Sequence, residues 1–378
     1  MKNLEKILVG MGIAALCSFF PVNETRAQAT NIVHKPFRGL CYGPFRQGQS
    51  PMLGIYPSES QVKDDLTNKV CYLAKQIRTF GDENVLFKIP GFCNQFGIDC
   101  YPSAWIDNVA EDVNQVNRLV QIGNSNYPTT KALVVGTEFL YRHPSMESTL
   151  TNYIKQVKNY TGKQVTACEQ WHIYRDYPNL ANSVDILMIN IYPFWEQQSI
   201  DNAASFALEK YNLIKNLYPG KRIVIGETGW PSYGTSNGSA VPSMENQLKY
   251  IRDFMEIAEE NNMDYNFFEF SNEPWKPGSN VETNWGVVDA ARFLKQSSAS
   301  YMAEHTSINS ISSSNSKINV QTYEGNKYVV YKNLDLATTN WNYATNFTGS
   351  LGTNVTPLSL GRNVTTNKNY FLRVRMSF

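Results

Sequence analysis

The strongest constraint in this sequence is a repeated alternation of short apolar runs and longer amphipathic stretches between residues 40 and 270. The apolar runs predict strands, and the amphipathic stretches predict helices. Strand centres run from about residue 42 to about residue 268, so the seven intervals between them average about 32 residues. Eight such units give about 250 residues, the usual size of a (β/α)8 barrel.

The predicted strands cover residues 40–45, 76–80, 98–106, 132–137, 164–169, 184–192, 222–227 and 266–270. Helical patterns are clearest at 58–74, 146–160, 203–217 and 244–261. A doubly wound sheet shows the same alternation, but no glycine-rich fingerprint follows the first strand, which disfavours a nucleotide-binding sheet. The expected fold class is therefore α/β, with a (β/α)8 TIM barrel over residues 30–298.

The two ends of the chain differ from this repeat. Residues 1–29 combine Lys2 and Lys6, an apolar run at 7–20 and the small-x-small sequence Ala27-Gln28-Ala29. This pattern predicts a signal peptide and export to the periplasm, the cell surface or the medium. The apolar run is short for a membrane span, and no transmembrane anchor is expected in the mature chain.

The C-terminal part changes composition at the end of the barrel pattern. Residues 299–316 are serine-rich and predict a flexible linker. Residues 317–378 place aromatic and β-branched residues among Asn, Thr and Gly, which predicts a small β-rich appendage. Carbohydrate binding, docking on the barrel, sorting and a purely structural role are all open for it.

Composition narrows the classes of ligand. The 34 basic residues nearly balance the 33 acidic ones, so neither nucleic acid nor an anionic membrane is an expected partner. The 22 Tyr, 19 Phe and 7 Trp residues can build a large core and can also supply stacking surfaces for sugar rings. The cysteine spacing matches no zinc pattern, and no metal or cofactor is expected. Cys93 and Cys100 are close enough in sequence to form a disulfide, although buried free thiols are favoured.

Two glutamates stand where barrel enzymes place their chemistry, at the C-terminal ends of strands. Glu138 ends the fourth predicted strand and Glu227 ends the seventh. These strands face each other across the barrel mouth, so both carboxylates can reach one substrate. Glycoside hydrolysis needs such a pair: one carboxylic acid protonates the leaving oxygen, and the other attacks the anomeric carbon or activates water. The alternative is a hydrogen-bonding role at the barrel rim.

Further polar and aromatic residues follow other strands. Glu273 and Lys276 come after the eighth strand and can bind sugar hydroxyls and tune nearby pKa values, and Glu269 is an alternative candidate. Asn190 and Tyr192 end the sixth strand, and Trp171 follows the fifth. We expect these three residues to line a sugar subsite.

The sequence Gly-Glu-Thr-Gly-Trp-Pro-Ser at residues 226–232 resembles the nucleophile signature of family 17 glycoside hydrolases. Segments at 41–46, 77–81, 190–195, 272–276 and 285–289 also resemble that family, so the resemblance spans about residues 38–292. It implies a TIM barrel, a retaining mechanism and β-1,3-glucan as substrate. It also implies that Glu227 is the nucleophile and Glu138 the general acid/base.

The matching segments add Tyr42, Arg78 and Trp230 to the candidate substrate-binding residues, and Thr137 joins them as the residue before Glu138. Thr137 departs from the family pattern, which has Asn before the acid/base. Because a hydroxyl makes fewer hydrogen bonds than an amide, we expect a weaker hold on the sugar ring at this position.

Three functions remain open at this point. The first is an endo-acting β-1,3-glucan hydrolase, and the second is a transglycosylase that uses the same two carboxylates. The third is a non-catalytic glucan-binding surface protein on a retained barrel, which the presence of both glutamates disfavours.

Overall fold

A computed structural model describes residues 36–278 and 280–304, and also strands at 14–17, 308–312, 317–321, 327–333, 342–348, 355–359 and 370–377. The chain divides into two compact units. One spans Phe37–Ser298, and the other combines Met1–Pro36 with Ala299–Phe378.

The Phe37–Ser298 unit is a barrel of parallel strands. We label them β1 (Phe37–Cys41), β2 (Ala74–Arg78), β3 (Asp99–Tyr101 and Ser103–Ala104), β4 (Leu133–Thr137), β5 (Val165–Gln170), β6 (Ile186–Asn190), β7 (Arg222–Thr228) and β8 (Asp264–Phe267). Each strand pairs with the next in the chain, and β8 pairs in parallel with β1. The predicted (β/α)8 barrel is confirmed, with each strand within a few residues of its expected place.

Strand β3 is divided by Pro102, which has no N–H to donate to a sheet ladder. Its first piece pairs with β2 and its second with β4. The carbonyl of Pro102 still accepts a hydrogen bond from Val134 N at 2.9 Å. The single strand predicted at 98–106 is therefore two short strands that together occupy one barrel position.

Helices cover the outside of the barrel. The α-helices described in this unit are Glu59–Asp65, Cys71–Leu73, Ile89–Phe96, Asp112–Asn124, Phe139–Arg142, Glu147–Thr161, Trp171–Asp176, Pro178–Ser183, Ile200–Leu217 and Met244–Glu260. A further helix, Gln296–Glu304, crosses the boundary between the two units. In Glu147–Thr161 the buried residues Leu150, Ile154 and Val157 recur at helical spacing, which explains why this stretch packs as an amphipathic helix. The predicted helix at 58–74 changes to π-helical geometry at Leu66–Val70.

The barrel interior is apolar. Tyr101, Val134, Met188 and Val224 belong to one buried cluster that also contains Cys168. Cys93 and Cys100 are free and buried, so the disulfide alternative is not formed. None of the described helices has the length and apolar character that a membrane crossing requires.

The second unit is described by its strands. Ala14–Cys17, Tyr370–Ser377, Lys327–Asn333 and Asn342–Thr348 form an antiparallel sheet in that order. Ile308–Ser312, Lys317–Gln321 and Val355–Ser359 form a second one. Five of these strands lie after residue 316, in the part of the chain for which a β-rich appendage was predicted. The predicted linker at 299–316 contains part of the Gln296–Glu304 helix and one strand, and the signal peptide and domain boundaries stay predictions.

The stability cost of adding a side chain can be compared at two glycines, Gly136, just before the end of β4, and Gly162. Both have positive φ, at 80° and 61°, but an added Cβ meets Ile106 at 2.9 Å only at Gly136 and has nothing within 4 Å at Gly162. Gly162→Ala should cost about 1–2 kcal/mol of stability through its backbone alone. Gly136→Ala should cost about 1–3 kcal/mol more through crowding. Urea unfolding measures both, and equal losses would contradict this account.

Candidate active site

Glu138 lies directly after β4 in a left-handed conformation, with φ 51° and ψ 33°. A non-glycine residue rarely adopts this conformation, and such strain is often found at functional sites. Its backbone N–H donates to Cys168 O at 2.7 Å, which ties the end of β4 to β5. The turn directs the chain into the short helix Phe139–Arg142 and leaves the Glu138 side chain partly accessible.

The Glu138 carboxyl is held by two side-chain amides. Gln170 Nε2 donates to its Oε1 at 2.7 Å, and Asn190 Nδ2 donates to the same oxygen at 2.8 Å. Burial and, second, the nearby charge of Glu227 raise the pKa of Glu138 to about 7, against the lowering effect of the Asn190 hydrogen bond. A carboxyl in this environment can carry a proton near neutral pH.

Glu227 lies in β7, on the rim facing Glu138, and is almost fully buried. Arg78 Nη1 donates to its Oε1 at 2.5 Å, and the Tyr192 hydroxyl donates to its Oε2. In the sheet, Glu227 pairs with Asn190, where a register shift marks the end of β6. Two strong donors stabilise a negatively charged carboxylate, so this environment is opposite in character to that of Glu138.

Arg78 connects the two strands that carry the glutamates. Its side chain has no exposed surface, and Nη2 donates to Thr137 Oγ1 at 2.5 Å while Nη1 binds Glu227. Thr137 was expected to hold the sugar ring less firmly than Asn. Its described contact is instead with the guanidinium. Arg78 binds Glu227 through Nη1 and uses the Thr137 hydroxyl oxygen as the acceptor for Nη2.

A second charged cluster follows β8. Lys276 Nζ donates to both oxygens of Glu269, at 2.7 and 2.6 Å, and lies 3.0 Å from Glu273 Oε2. Burial raises the pKa of Glu269 well above its usual range, with Lys276 opposing the shift. Glu273 lies against Gly43, where an added Cβ would be 2.0 Å from its Oε1. The structure thus brings together Glu273, Lys276 and the alternative candidate Glu269, and their role in substrate binding stays a prediction.

Three predicted substrate-binding residues have other surroundings. Tyr42 is buried and donates to Asp65 Oδ2 at 3.1 Å. Trp230 is fully buried and donates to Val241 O at 3.0 Å. Both side chains are thus hydrogen-bonded within the protein, and their role in substrate binding stays a prediction. Trp171 is 7% exposed and donates to Glu196 Oε1 at 3.0 Å.

Two residues that contact the site were not among the predictions. Gln170 binds Glu138 directly, and Glu169 accepts a hydrogen bond from Leu140 N at 2.9 Å. Both stand at the end of β5, so their position was a usable signal. Side chains alternate between the two faces of a strand, so the sequence predicts that only one of Glu169 and Gln170 faces the site. In the structure both contact Glu138 or the segment that follows it.

A (β/α)8 barrel with two carboxylates at the C-terminal ends of β4 and β7 defines the class of barrel glycoside hydrolases. Residues 39–286 match the family model described as the BtgE/BtgC glycoside hydrolase domain, which is about two thirds of the 378 residues. The chain belongs to this family.

Curated relatives come from filamentous fungi. The chain is 27% identical over 311 residues to a protein of Aspergillus terreus named "Probable glucan endo-1,3-beta-glucosidase btgC", covering 70% of this chain and 45% of the relative. It is 31% identical over 263 residues to a protein of the same species named "Probable beta-glucosidase btgE", covering 66% and 45%. The chain therefore spans about half the length of these curated relatives.

Solved structures agree on the fold. A β-1,3-glucanosyltransferase of Rhizomucor miehei, solved as an active-site mutant with laminaritriose, matches with a TM-score of 0.62 and 30% identity, covering 69% of this chain and 96% of that one. An endo-laminarinase from Formosa matches with a TM-score of 0.58 at 18% identity, covering 70% and 86%, which supports the barrel alone.

The raised pKa of Glu138 predicts that the stability difference between the parent and Glu138→Gln depends on pH. Its pKa is raised from 4.5 to about 7 in the folded state, so this group loses stabilising free energy as pH rises between those values. Glu138→Gln keeps an oxygen for both amide donors and cannot ionise. Relative to the parent, it should gain roughly 1–3 kcal/mol between pH 5 and pH 8. Urea unfolding at both pH values measures the gain.

Glu245→Gln is the matched control, because Glu245 is exposed on the Met244–Glu260 helix. Its stability difference from the parent should not change between the two pH values. A pH-independent difference for Glu138→Gln as well would show that burial and the Glu227 charge do not raise the pKa of Glu138.

Proposed function

We propose that this chain is a retaining family 17 glycoside hydrolase that cleaves β-1,3-glucan, with Glu227 as nucleophile and Glu138 as general acid/base. The observation that carries the proposal is the contrast between the two carboxyls. Glu227 contacts a cation and a phenol, whereas Glu138 contacts two neutral amides and has its pKa raised to about 7. Retaining hydrolysis requires one ionised and one protonated carboxyl.

In the first step, an oxygen of Glu227 attacks the anomeric carbon and forms a glycosyl ester, while Glu138 transfers its proton to the leaving glycosidic oxygen. Oε1 of Glu138 already accepts from Gln170 and Asn190. Two N–H groups directed at one oxygen leave the other, Oε2, to carry the proton that is transferred.

In the second step, Glu138 acts as a base and takes a proton from the incoming hydroxyl, whose oxygen displaces Glu227. Esterification removes the negative charge of Glu227, which is one of the causes that raise the pKa of Glu138. The pKa of Glu138 therefore falls when it must accept a proton and rises again when the ester is broken. The Asn190 hydrogen bond, which lowers that pKa, favours the carboxylate throughout the second step.

The substrate follows from the relatives and the charge of the chain. The names of the Aspergillus relatives describe glucan endo-1,3-beta-glucosidases, and the Rhizomucor structure holds laminaritriose. A near-neutral chain with 34 basic and 33 acidic residues suits an uncharged polysaccharide. The predicted signal peptide at residues 1–29 supports export, which brings the enzyme to polymeric glucan outside the cytoplasm.

Transfer to a second sugar is the alternative supported by a specific observation. The Rhizomucor relative, at 30% identity, is named a glucanosyltransferase. A glycosyl ester on Glu227 can be intercepted by water or by a sugar hydroxyl, and the same two carboxyls serve both reactions. A non-catalytic glucan-binding protein is less well supported, because a binding surface has no need for two carboxyls in such contrasting environments.

Glu227→Gln and Glu138→Gln should each lower turnover of β-1,3-glucan by roughly 10³-fold or more, because each removes a distinct covalent or proton-transfer role. Reducing-sugar release from laminarin measures the loss. Glu245→Gln serves as the control and should retain activity, since Glu245 is exposed and distant in sequence from both strand ends. Turnover that persists in either catalytic variant would overturn the two-carboxylate proposal.

Product sizing separates hydrolysis from transfer. With laminaripentaose as sole substrate at rising concentration, hydrolysis should yield only shorter oligosaccharides, whereas transfer yields products longer than five units. We expect hydrolysis products at low concentration and some longer products at millimolar substrate, since a covalent intermediate accepts either nucleophile. Chromatography with mass detection measures both. Inversion of anomeric configuration in the first-formed product would contradict a retaining mechanism.

A further inference from the structure

Three successive residues at the end of β5 contact either Glu138 or the segment that follows it. They are Cys168, Glu169 and Gln170, which we call the β5 seat. We propose that the β5 seat is a positioning element of the active site, in which Glu169 and the Cys168 thiol fix the acid/base without touching the substrate. This inference rests on the proposed role of Glu138 as acid/base.

The backbone of Glu138 needs support from its surroundings. Its left-handed conformation, with φ 51°, is unfavourable for a residue with a side chain by about 1–2 kcal/mol. The hydrogen bond from Glu138 N to Cys168 O, at 2.7 Å, holds it on one side of the turn. A conformation of this kind persists only where several contacts determine it together.

Glu169 supplies the contact on the other side of the turn. Its side chain is fully buried, and Oε1 accepts from Leu140 N at 2.9 Å. Leu140 is in the first turn of the Phe139–Arg142 helix, where backbone N–H groups have no partner within the helix. Glu169 thus caps this helix from a neighbouring strand and fixes the two residues that follow Glu138. Burial raises the pKa of Glu169 to about 8, so near neutral pH it caps as an uncharged carboxyl.

The Cys168 side chain fixes the acid/base by a second route. Its Sγ lies 2.9 Å from Asn190 Oδ1, and Asn190 Nδ2 donates to Glu138 Oε1. Burial raises the pKa of the thiol well above its usual range, so the S–H remains a donor. A side-chain amide can point either end at a neighbour, and the thiol selects the orientation that presents N–H to Glu138. The reverse orientation would place the amide oxygen against the carboxylate.

Gly226 makes this arrangement possible. A Cβ at this position would lie 2.3 Å from Cys168 Sγ and 3.0 Å from Asn190 Oδ1. The glycine before the nucleophile therefore leaves room for the thiol–amide contact that orients the acid/base. The sequence signature at 226–232 thus serves both carboxyls, although it contains only one of them.

Two substrates separate positioning from general folding effects. One is laminarioligosaccharide, whose leaving group needs a proton, and the other is a 2,4-dinitrophenyl β-glycoside of laminaribiose, whose leaving group does not. Glu169→Leu removes the acceptor for Leu140 N, and Cys168→Ala removes the donor to Asn190. Each should lower kcat/KM for the oligosaccharide by about 10-fold or more and for the aryl glycoside by less than about 3-fold, since only the first requires general acid catalysis.

Conservative variants test the same contacts without emptying the site. Glu169→Gln retains an acceptor and Cys168→Ser retains a donor, so both should stay within about 3-fold of the parent on either substrate. Cys93→Ala, which removes another buried thiol from the Ile89–Phe96 helix, is the matched control and should leave the ratio of the two kcat/KM values unchanged. If Glu169→Leu or Cys168→Ala does not fold, Gln170→Leu is measured in its place. It removes the direct amide donor of the β5 seat to Glu138, and it should lower kcat/KM for the oligosaccharide and not for the aryl glycoside.

Equal losses on both substrates would overturn the inference, because they indicate a structural role for the β5 seat. Glu138→Gln is measured beside these variants. If it shows the leaving-group dependence and the seat variants do not, only the β5 seat is wrong. If Glu138→Gln itself lacks that dependence, the acid/base assignment in the proposed function fails instead.

Discussion

The arrangement of the site depends on one buried ion pair, between Arg78 and Glu227. Moving both charges out of water is unfavourable, and such a pair is tolerated only when its hydrogen-bonding groups find partners. Here Arg78 also donates to Thr137, and the second oxygen of Glu227 accepts from Tyr192. These contacts join β2, β4 and β7 with the segment after β6. The position of Glu227, the position of the strand that leads to Glu138 and the neighbouring charge that raises the pKa of Glu138 are therefore set together.

The described charges are distributed unevenly around the mouth of the barrel. Arg78 contacts Glu227, and Lys276 contacts Glu269 and Glu273, so three carboxyls have a cation at hydrogen-bond or ion-pair distance. Glu138 instead has the amides of Gln170 and Asn190 at that distance. A neutral donor stabilises a carboxylate less than a cation does. At Glu138, burial raises the pKa, and the contact that opposes it is a hydrogen bond from the neutral amide of Asn190.

Sequence periodicity predicted the barrel well, because each strand and helix buries its own apolar face and carries that pattern locally. It also located Glu138 and Glu227, since both follow β-branched runs at strand ends. Sequence periodicity was less informative about where individual side chains point. Tyr42 and Trp230 were predicted to bind substrate, and the structure shows both side chains buried. The roles of Glu169 and Gln170 depend on the left-handed conformation of Glu138, which the residue pattern does not predict. The division of β3 at Pro102 shows the same limit, because pairing across a barrel depends on neighbouring strands.

The position of Arg78 also bears on both halves of the proposed reaction. While Glu227 is ionised, the guanidinium pairs with it, and the charge of Glu227 raises the pKa of Glu138 more than Arg78 lowers it. Once Glu227 becomes an ester, Arg78 keeps Thr137 and the ring of Phe80, whose centroid lies 4.7 Å from its Cζ, but its charge has lost its carboxylate partner. Arg78 lowers the pKa of Glu138, and that influence is then no longer offset by Glu227. In the proposed second step, Arg78 therefore favours the ionised form of Glu138, which is the form that can accept a proton, without any movement of the side chain.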